Sequence, residues 1–228
     1  MNQNAIYIFS PMLFASAADN LTENFSENDS SYFRATLYLN IMENIIKGKD
    51  KTDLFVILSK DEKYSEFEML KDFHLITAEQ TSISILQSEQ ITKEFSNHKY
   101  NILVAGNVVN LSSTDIEKFF NLLGIDEKTI LISKSSSNKI SAFGLCGYTD
   151  ELISFFIESE LSIQKFLGFN KSCEYYITLA KDLFEVNDIS DFKKLYIDLS
   201  QKASLEYCSQ NMHERFTHLF VEYKDLLK

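Results

Sequence analysis

Four stretches of the chain carry residue types or spacings that chemistry could use. "HERFTH" holds His213 and His218, close to the H-E-x-x-H pattern of a helical zinc site. Two histidines four residues apart lie about 40° apart around a helix, whereas a five-residue step swings them about 140° apart. His213 and His218 are five apart, so one helix cannot present both to one ion, and a solvated C-terminal helix is expected there. "GLCG", residues 144–147, has two glycines but lacks the third of a dinucleotide fingerprint, and the chain contains no G-x-x-x-x-G-K-[ST]. Cys146 has no histidine near it in sequence and reads as a small core residue. Asp150 and Glu151 could form an acid–base pair, but directly behind Thr149 they also make the acidic first turn of a helix. The fourth stretch, "NILVAGNVVN" at 101–110, runs through the apolar positions Ile102 to Ala105 into Gly106 and a polar turn, as a buried strand does when it delivers a loop to a ligand pocket. Yet Asn107, Val108, Val109 and Asn110 include no acid, base or nucleophile.

The elements that must position these residues alternate along the chain. "AIYIF" (5–9), "DLFVILS" (53–59), "FHLITA" (73–78), residues 102–105, "TILIS" (129–133) and "ISAFGL" (140–145) read as strands. Polar "ENFSENDSS" reads as a loop, and residues 32–47 repeat Phe33, Leu37, Ile41 and Ile45 at four-residue steps, an amphipathic helix ended by Gly48. Further helices are expected over 82–96, over "DIEKFFNLL" behind a Thr114/Glu117 capping box and up to Gly124, over "LISFFIE" (152–158), and near 191–204 and 207–227. Alternation of this kind predicts an α/β fold, a Rossmann-like three-layer sandwich with a central, mostly parallel sheet. Ligands of such sheets sit at the carboxyl ends of the strands, which directs attention to the loops after residues 9, 58, 105 and 132.

Composition narrows the partners. At 228 residues and 45% apolar content, with one Pro and six Gly, the chain suits a single domain over 1–228, with 189–228 as a helical extension packed on it. A net charge of −11 opposes nonspecific binding to nucleic acid or an anionic membrane, and no run of about 18 apolar residues offers a span. Two arginines, Arg34 and Arg215, stand against twenty lysines, so bidentate phosphate clamps are scarce. Cys146, Cys173 and Cys208 are odd in number with no C-x-x-C, which fits reduced thiols in the cytoplasm. "AIYIFSPMLFASA" ends in the small residues Ala15, Ser16 and Ala17, but no Lys or Arg precedes Arg34, so a secretory signal is not expected.

The order of segments resembles the small bacterial glycosyltransferase-like proteins of the GT-A nucleotide-diphospho-sugar transferase fold, the selenodomain-associated transferases. In that family a first strand enters a Lys-Ala-Pro loop with a basic Lys-Thr-Arg-Leu segment, followed by a helix and a strand; here stand "IFSP", "YFRATLYLNIMENI" and "DLFVIL". The family's Gly-Ser-Asp-Ser-Pro-Asp-Leu, Asp-Gly-Gly-Tyr-Tyr-Leu-Ile-Gly-Leu and Asp-Thr-Pro-Glu-Asp-Leu segments are matched in spacing by "LVAGNVVNLSSTDIEKFFNLL", "SNKISAFGL" and "VNDISDFKKL". Pattern is similar along most of residues 5–199, and identities are few.

The departures are systematic. The loop "PMLFASAADNLTEN" has no cation, the family's metal-binding Asp aligns with Val108, its Pro with Asn110, and its Asp-Gly-Gly with Ser137, Asn138 and Lys139. Transfer from a nucleotide sugar needs a hard oxygen ligand for Mg or Mn and positive charge for the diphosphate. The resemblance therefore implies a degenerate member without metal-dependent glycosyl transfer, acting in ligand binding or protein interaction, with Ser10, Asn107, Val108, Asn110, Asn138 and Lys139 lining the old pocket. Their neutral amides could hydrogen-bond a sugar or base, and they are equally ordinary turn residues. No cofactor is expected. The rival expectation is an active glycosyl- or nucleotidyltransferase with relocated acids such as Asp150 or Glu151, and with Mg or Mn. A homodimer through the C-terminal helices is a third expectation, on the stripe of Phe216, Leu219, Phe220 and Tyr223.

Overall fold

The computed structural model describes residues 3–14, 24–47, 52–60, 62, 64, 73–78, 83–171 and 174–228. Gly48, Cys173, the Ala15–Ala17 triplet and most of the cation-free loop at 11–24 lie outside the described residues. Seven strands, β1 (Asn4–Phe9), β2 (Thr52–Ser59), β3 (His74–Ala78), β4 (Tyr100–Ala105), β5 (Thr129–Lys134), β6 (Ile140–Cys146) and β7 (Tyr176–Leu179), form one sheet in the order β3-β2-β1-β4-β6-β5-β7. All run one way except β6, which is antiparallel to both neighbours. The α/β class and mostly parallel sheet expected from the sequence are observed. The sheet has a carboxyl edge, where β1, β4 and β5 end, and an amino edge, where Cys146 at the end of β6 pairs with Tyr100 at the start of β4.

Both faces of the sheet are covered, which is why its central strands are nearly continuous in apolar residues. On one face Tyr7 stacks between Phe55 and Phe95 of α2 (Glu89–Asn97), while Phe9 and Phe143 meet Phe156 of α4 (Asp150–Glu158). The other face receives α1 (Glu27–Lys47) and α3 (Ser113–Leu123), where Leu123 packs so closely that a side chain at Gly144 would meet it at 3.0 Å. α5 (Ile163–Asn170) follows α4.

α1 is buried on two sides. Ala35, Tyr38, Ile41 and Ile45 join the sheet core, whereas Phe33 and Leu37 join a second cluster with Phe192 of α6 (Ile189–Leu199) and Phe216 and Leu219 of α7 (Gln210–Glu222). Two buried amides serve the same helix: Asn40 Nδ2 donates to the Val109 carbonyl at 3.0 Å and Asn44 Nδ2 to the Tyr207 carbonyl at 2.6 Å. Phe216, Leu219 and Phe220 are thus turned inward, and the stripe expected to pair two copies is internal packing. Among the described residues no helix is long and apolar enough to cross a membrane.

Several element boundaries differ from the sequence reading. α1 begins at Glu27, inside the polar run read as a loop, because the Ser26 hydroxyl accepts the Asp29 N–H at 3.1 Å and donates to its carboxylate at 2.6 Å. α3 is capped by Ser112 and Asp115, not by Thr114 and Glu117, so the reciprocal bonds form earlier in the chain than expected. Ser88 caps α2 and splits the expected 82–96 helix, leaving a 3-10 turn at Ile83–Gln87. The sequence reading assigned no elements to residues 159–188, which supply α5 and β7.

Candidate functional site

The sequence-predicted chemical residues separate by edge. Gly147 N–H donates to the Lys99 carbonyl and Asn101 Nδ2 to the Gly147 carbonyl, so "GLCG" and the following Asp150 and Glu151 sit at the amino edge. Asp150 and Glu151 therefore cannot replace an acid after β4, which ends at the opposite edge; Asp150 accepts from the Tyr148 hydroxyl at 2.7 Å. Burial pushes the Cys146 thiol up, away from nucleophilic use. His213 faces the Ser204 hydroxyl at 3.1 Å and is held below its ordinary pKa by burial, while His218 sits edge-on to Tyr32. The two imidazoles have different neighbours, as their five-residue spacing requires.

The carboxyl edge gathers the remaining candidates, and a segment unassigned by the sequence reading joins them. After β7 the chain continues beside β5, with Ala180 N–H on the Ile132 carbonyl and Leu183 N–H on the Lys134 carbonyl, then crosses the edge as a strap, residues 183–187. The strap bridges Ser135 to Leu183 and Val108 to Glu185. Asn110 Oδ1 accepts the Phe184 N–H at 2.7 Å, and Val109 N–H donates to the Phe184 carbonyl. Asn107 gives its carbonyl to Val186 N–H and its Nδ2 to Asn187 Oδ1 at 2.8 Å. Asn107, Val108 and Asn110 thus all hold the strap.

Asn138 and Lys139 lie in the β5–β6 turn at the same edge. Asn138 has φ 56, a left-handed conformation that Asn tolerates, and Lys139 N–H donates to the Ser135 hydroxyl. Ser10 caps the turn after β1 and is fully buried, its hydroxyl accepting Met12 N–H at 3.2 Å. Above it Tyr38 crowds the turn after β4: a Cβ on Gly106 would lie 2.2 Å from the Tyr38 ring. Tyr64 lies 5.6 Å from that ring, and Glu62 accepts both the Tyr64 hydroxyl at 3.0 Å and the Ser59 N–H at 2.9 Å. Aromatic rings of the chain itself therefore pack over the turn after β4.

The residue missed from sequence is Glu185. It is 5% exposed beneath the edge. Burial drives its carboxyl above the usual carboxylate range, against the pull of Ser141, Asn187, the Lys139 ammonium and Ser135. Asn187 Nδ2 reaches Glu185 Oε2 at 3.5 Å, and the buried Ser141 hydroxyl faces it without reaching hydrogen-bond geometry. Asn107 Oδ1 is buried nearby without a partner. Its sequence signal is an acid inside the apolar tetrad "LFEV", where alternation alone would place an apolar side chain.

The fold family's divalent metal does not fit this corner. Mg²⁺ or Mn²⁺ requires several hard oxygens, with carboxylates ionised. Val108 offers no side-chain oxygen, Asn110 Oδ1 is engaged, the Asp115 carboxylate is taken up by Lys181 and Ser112, and Glu185 is held toward its neutral form. Among the described residues, no group of three or more His, Cys, Asp or Glu could hold a metal ion.

Comparison with solved structures places this architecture. A protein from Desulfovibrio desulfuricans G20, assigned as a nucleotide-diphospho-sugar transferase, superposes with TM-score 0.74 over 98% of this chain and 99% of its own, at 10% identity. The fold is that of the nucleotide-diphospho-sugar transferases. A cytidylyltransferase from Leptospira borgpetersenii serovar Hardjo-bovis is similar in fold, at TM-score 0.58 and 9% identity over 100% of this chain and 97% of that one. The inositol-1-phosphate CTP transferase from T. maritima matches at TM-score 0.52 and 9% identity, over 96% of each chain. No protein-family model matches the sequence, and neither does any curated protein. In this nucleotide-diphospho-sugar transferase-like fold, the corner after β4 belongs to Val108, facing the buried Glu185.

Proposed function

We propose that this protein keeps the nucleotide-diphospho-sugar transferase fold without metal-dependent glycosyl transfer, and acts by binding a ligand or a protein at the carboxyl edge. One observation carries the reading: Val108, fully buried and bridged to Glu185, stands where the fold would need an ionised oxygen ligand. Asn110 holds the strap and Tyr38 fills the space over Gly106, so the edge serves packing before it serves chemistry. A ligand taken here would be read by neutral amides, Asn107 and Asn187 foremost, with Lys139 as a cation near Glu185. The test is calorimetry and thermal shift with UDP-, GDP- and CDP-sugars, with and without manganese. The reading requires no manganese-dependent shift; a shift that appears only with manganese overturns it.

Glu185 favours a second reading, a nucleotidyl- or glycosyltransferase whose acid has moved from the end of β4 to the strap. Turnover of any nucleotide sugar or CTP that is abolished in E185Q, with melting unchanged, would establish it. Equal turnover in E185Q would remove Glu185 from the chemistry.

A further inference from the structure

The sheet is open along its β7 side. β7 pairs with β5 alone, in a parallel register that runs from Thr129 against Tyr176 to Ile132 against Leu179. Tyr176 N–H donates to the Lys128 carbonyl at 3.0 Å and Ala180 N–H to the Ile132 carbonyl at 2.9 Å. By the two-residue period of a strand, Tyr176, Thr178 and Ala180 turn their backbone groups to β5, whereas Tyr175, Ile177 and Leu179 aim theirs outward. Those outward groups have no backbone partner among the described residues. Open edge strands are ordinarily guarded by a Lys, a Pro or a bulge. "YITL" carries none of these, and Tyr176 and Leu179 are 64% and 65% exposed.

Face and charge narrow what can dock there. Ile132 pairs with Leu179 on one side and with Phe143 on the other, and Phe143 packs on Phe156 and Phe166. Tyr175, Ile177 and Leu179 therefore share the α4/α5 face, while Tyr176 and Thr178 lie on the other. In a chain of net charge −11 this side is locally balanced, because Glu174 accepts from Lys128 at 2.8 Å and Asp182 lies 3.7 Å from Lys134. A strongly charged partner finds no complementary field here, and a like-charged copy of the chain meets little local repulsion.

We propose that β7 pairs with β7 of a second copy, antiparallel about a two-fold axis at Ile177, so that one sheet runs through both chains. A parallel two-fold pair is excluded, since it would set each outward N–H level with the same N–H of the other copy. Centred on Ile177, each Ile177 faces its counterpart and each Tyr175 faces Leu179 of the other copy. These are hydrogen-bonded pairs that exchange N–H and C=O groups, and their side chains are apolar. Tyr176 then faces Thr178, and Glu174 faces Ala180. Sliding the axis to Thr178 would set Glu174 on Asp182, and like charges directly opposite are destabilising. One short strand makes a small interface, so the dissociation constant falls between about 10 µM and about 300 µM.

Sedimentation velocity on the full chain from about 1 µM to about 500 µM spans that range. The wild type is expected to pass from monomer to dimer. L179K, at an exposed position, places a guard on the strand and should weaken the dimer about tenfold or more, with melting unchanged. I177C reads the register: hydrogen-bonded residues across an antiparallel pair have Cα atoms about 5.5 Å apart, within the span of a disulfide. Mild oxidation should therefore link two copies through residue 177, located by peptide mass mapping, whereas T178C, facing Tyr176, should form no link through residue 178. A wild type that stays monomeric across the range overturns the proposal. A dimer indifferent to L179K overturns it equally, because the copies would then meet elsewhere, as does a dimer that I177C leaves unlinked, because the axis would not pass Ile177. None of these results bears on ligand binding at the carboxyl edge.

Discussion

The two edges of the sheet bury polar groups in opposite styles. At the amino edge His98 Nε2 meets Asp53 at 2.9 Å and His98 Nδ1 meets the Glu94 carbonyl at 2.7 Å. Asn101 Nδ2 is shared by the carbonyls of Phe95, His98 and Gly147, and its Oδ1 faces the Tyr7 hydroxyl at 3.3 Å. Each of these atoms has a partner, which is how a buried network becomes scaffold. At the carboxyl edge, Glu185 receives a long contact from Asn187 with Ser141, Ser135 and the Lys139 ammonium around it, and among the described residues Asn107 Oδ1 is buried with no partner. The two edges differ in how completely their buried polar groups are paired.

That contrast can be broken most forcefully at Val108. Placing an acid there with V108D would bury a carboxylate beside the Glu185 carboxyl, with the Lys139 ammonium near the pair, at a cost of about 3–5 kcal/mol. Urea denaturation with and without manganese measures it, and recovery of stability by manganese would show that the corner still accepts a metal. Next in size is N101A at the closed edge. Removing a side chain that satisfies three carbonyls and a phenol should cost about 3 kcal/mol, with no effect on any carboxyl-edge ligand. G106A is intermediate: its methyl group forces the Tyr38 ring to move, for about 2 kcal/mol of stability read by the same denaturation.

The smallest and most diagnostic change is E185Q, within about 1 kcal/mol of the wild type at neutral pH. Its value lies in the pH dependence. The folded carboxyl has a raised pKa, so between its ordinary value and the folded one the native chain holds a proton that the unfolded chain has lost. The stability it contributes is fully present below the ordinary range and disappears as pH rises through the folded value. The E185Q chain lacks that slope, so the difference between the two curves should open above the ordinary carboxylate range and then level off.

Much of the framework could be read from sequence because burial on both faces leaves runs such as "DLFVILS" and "ILVA" that suit few other structures. Helix starts were less legible. Ser26, Ser88 and Ser112 each cap a helix, yet every one sits among other polar residues that could do the same. β7 is a four-residue edge strand with both end residues exposed, too short and too solvated to leave a periodic signal. The candidate pocket was legible as positions and not as a working arrangement. The residue that gives the corner its electrostatics, Glu185, arrives from about 80 residues downstream of Val108, and only the register of the strap brings them together.

Asn40 and Asn44 stand one turn apart on α1, and each holds a carbonyl from a distant part of the chain, Val109 in the corner and Tyr207 before α7. A single helix thus acts as a shaft with two keys. Loosening the C-terminal layer enough to free Tyr207 slackens the grip one turn away on Val109, so the corner and the α6–α7 layer should open and exchange their amide protons as one kinetic unit.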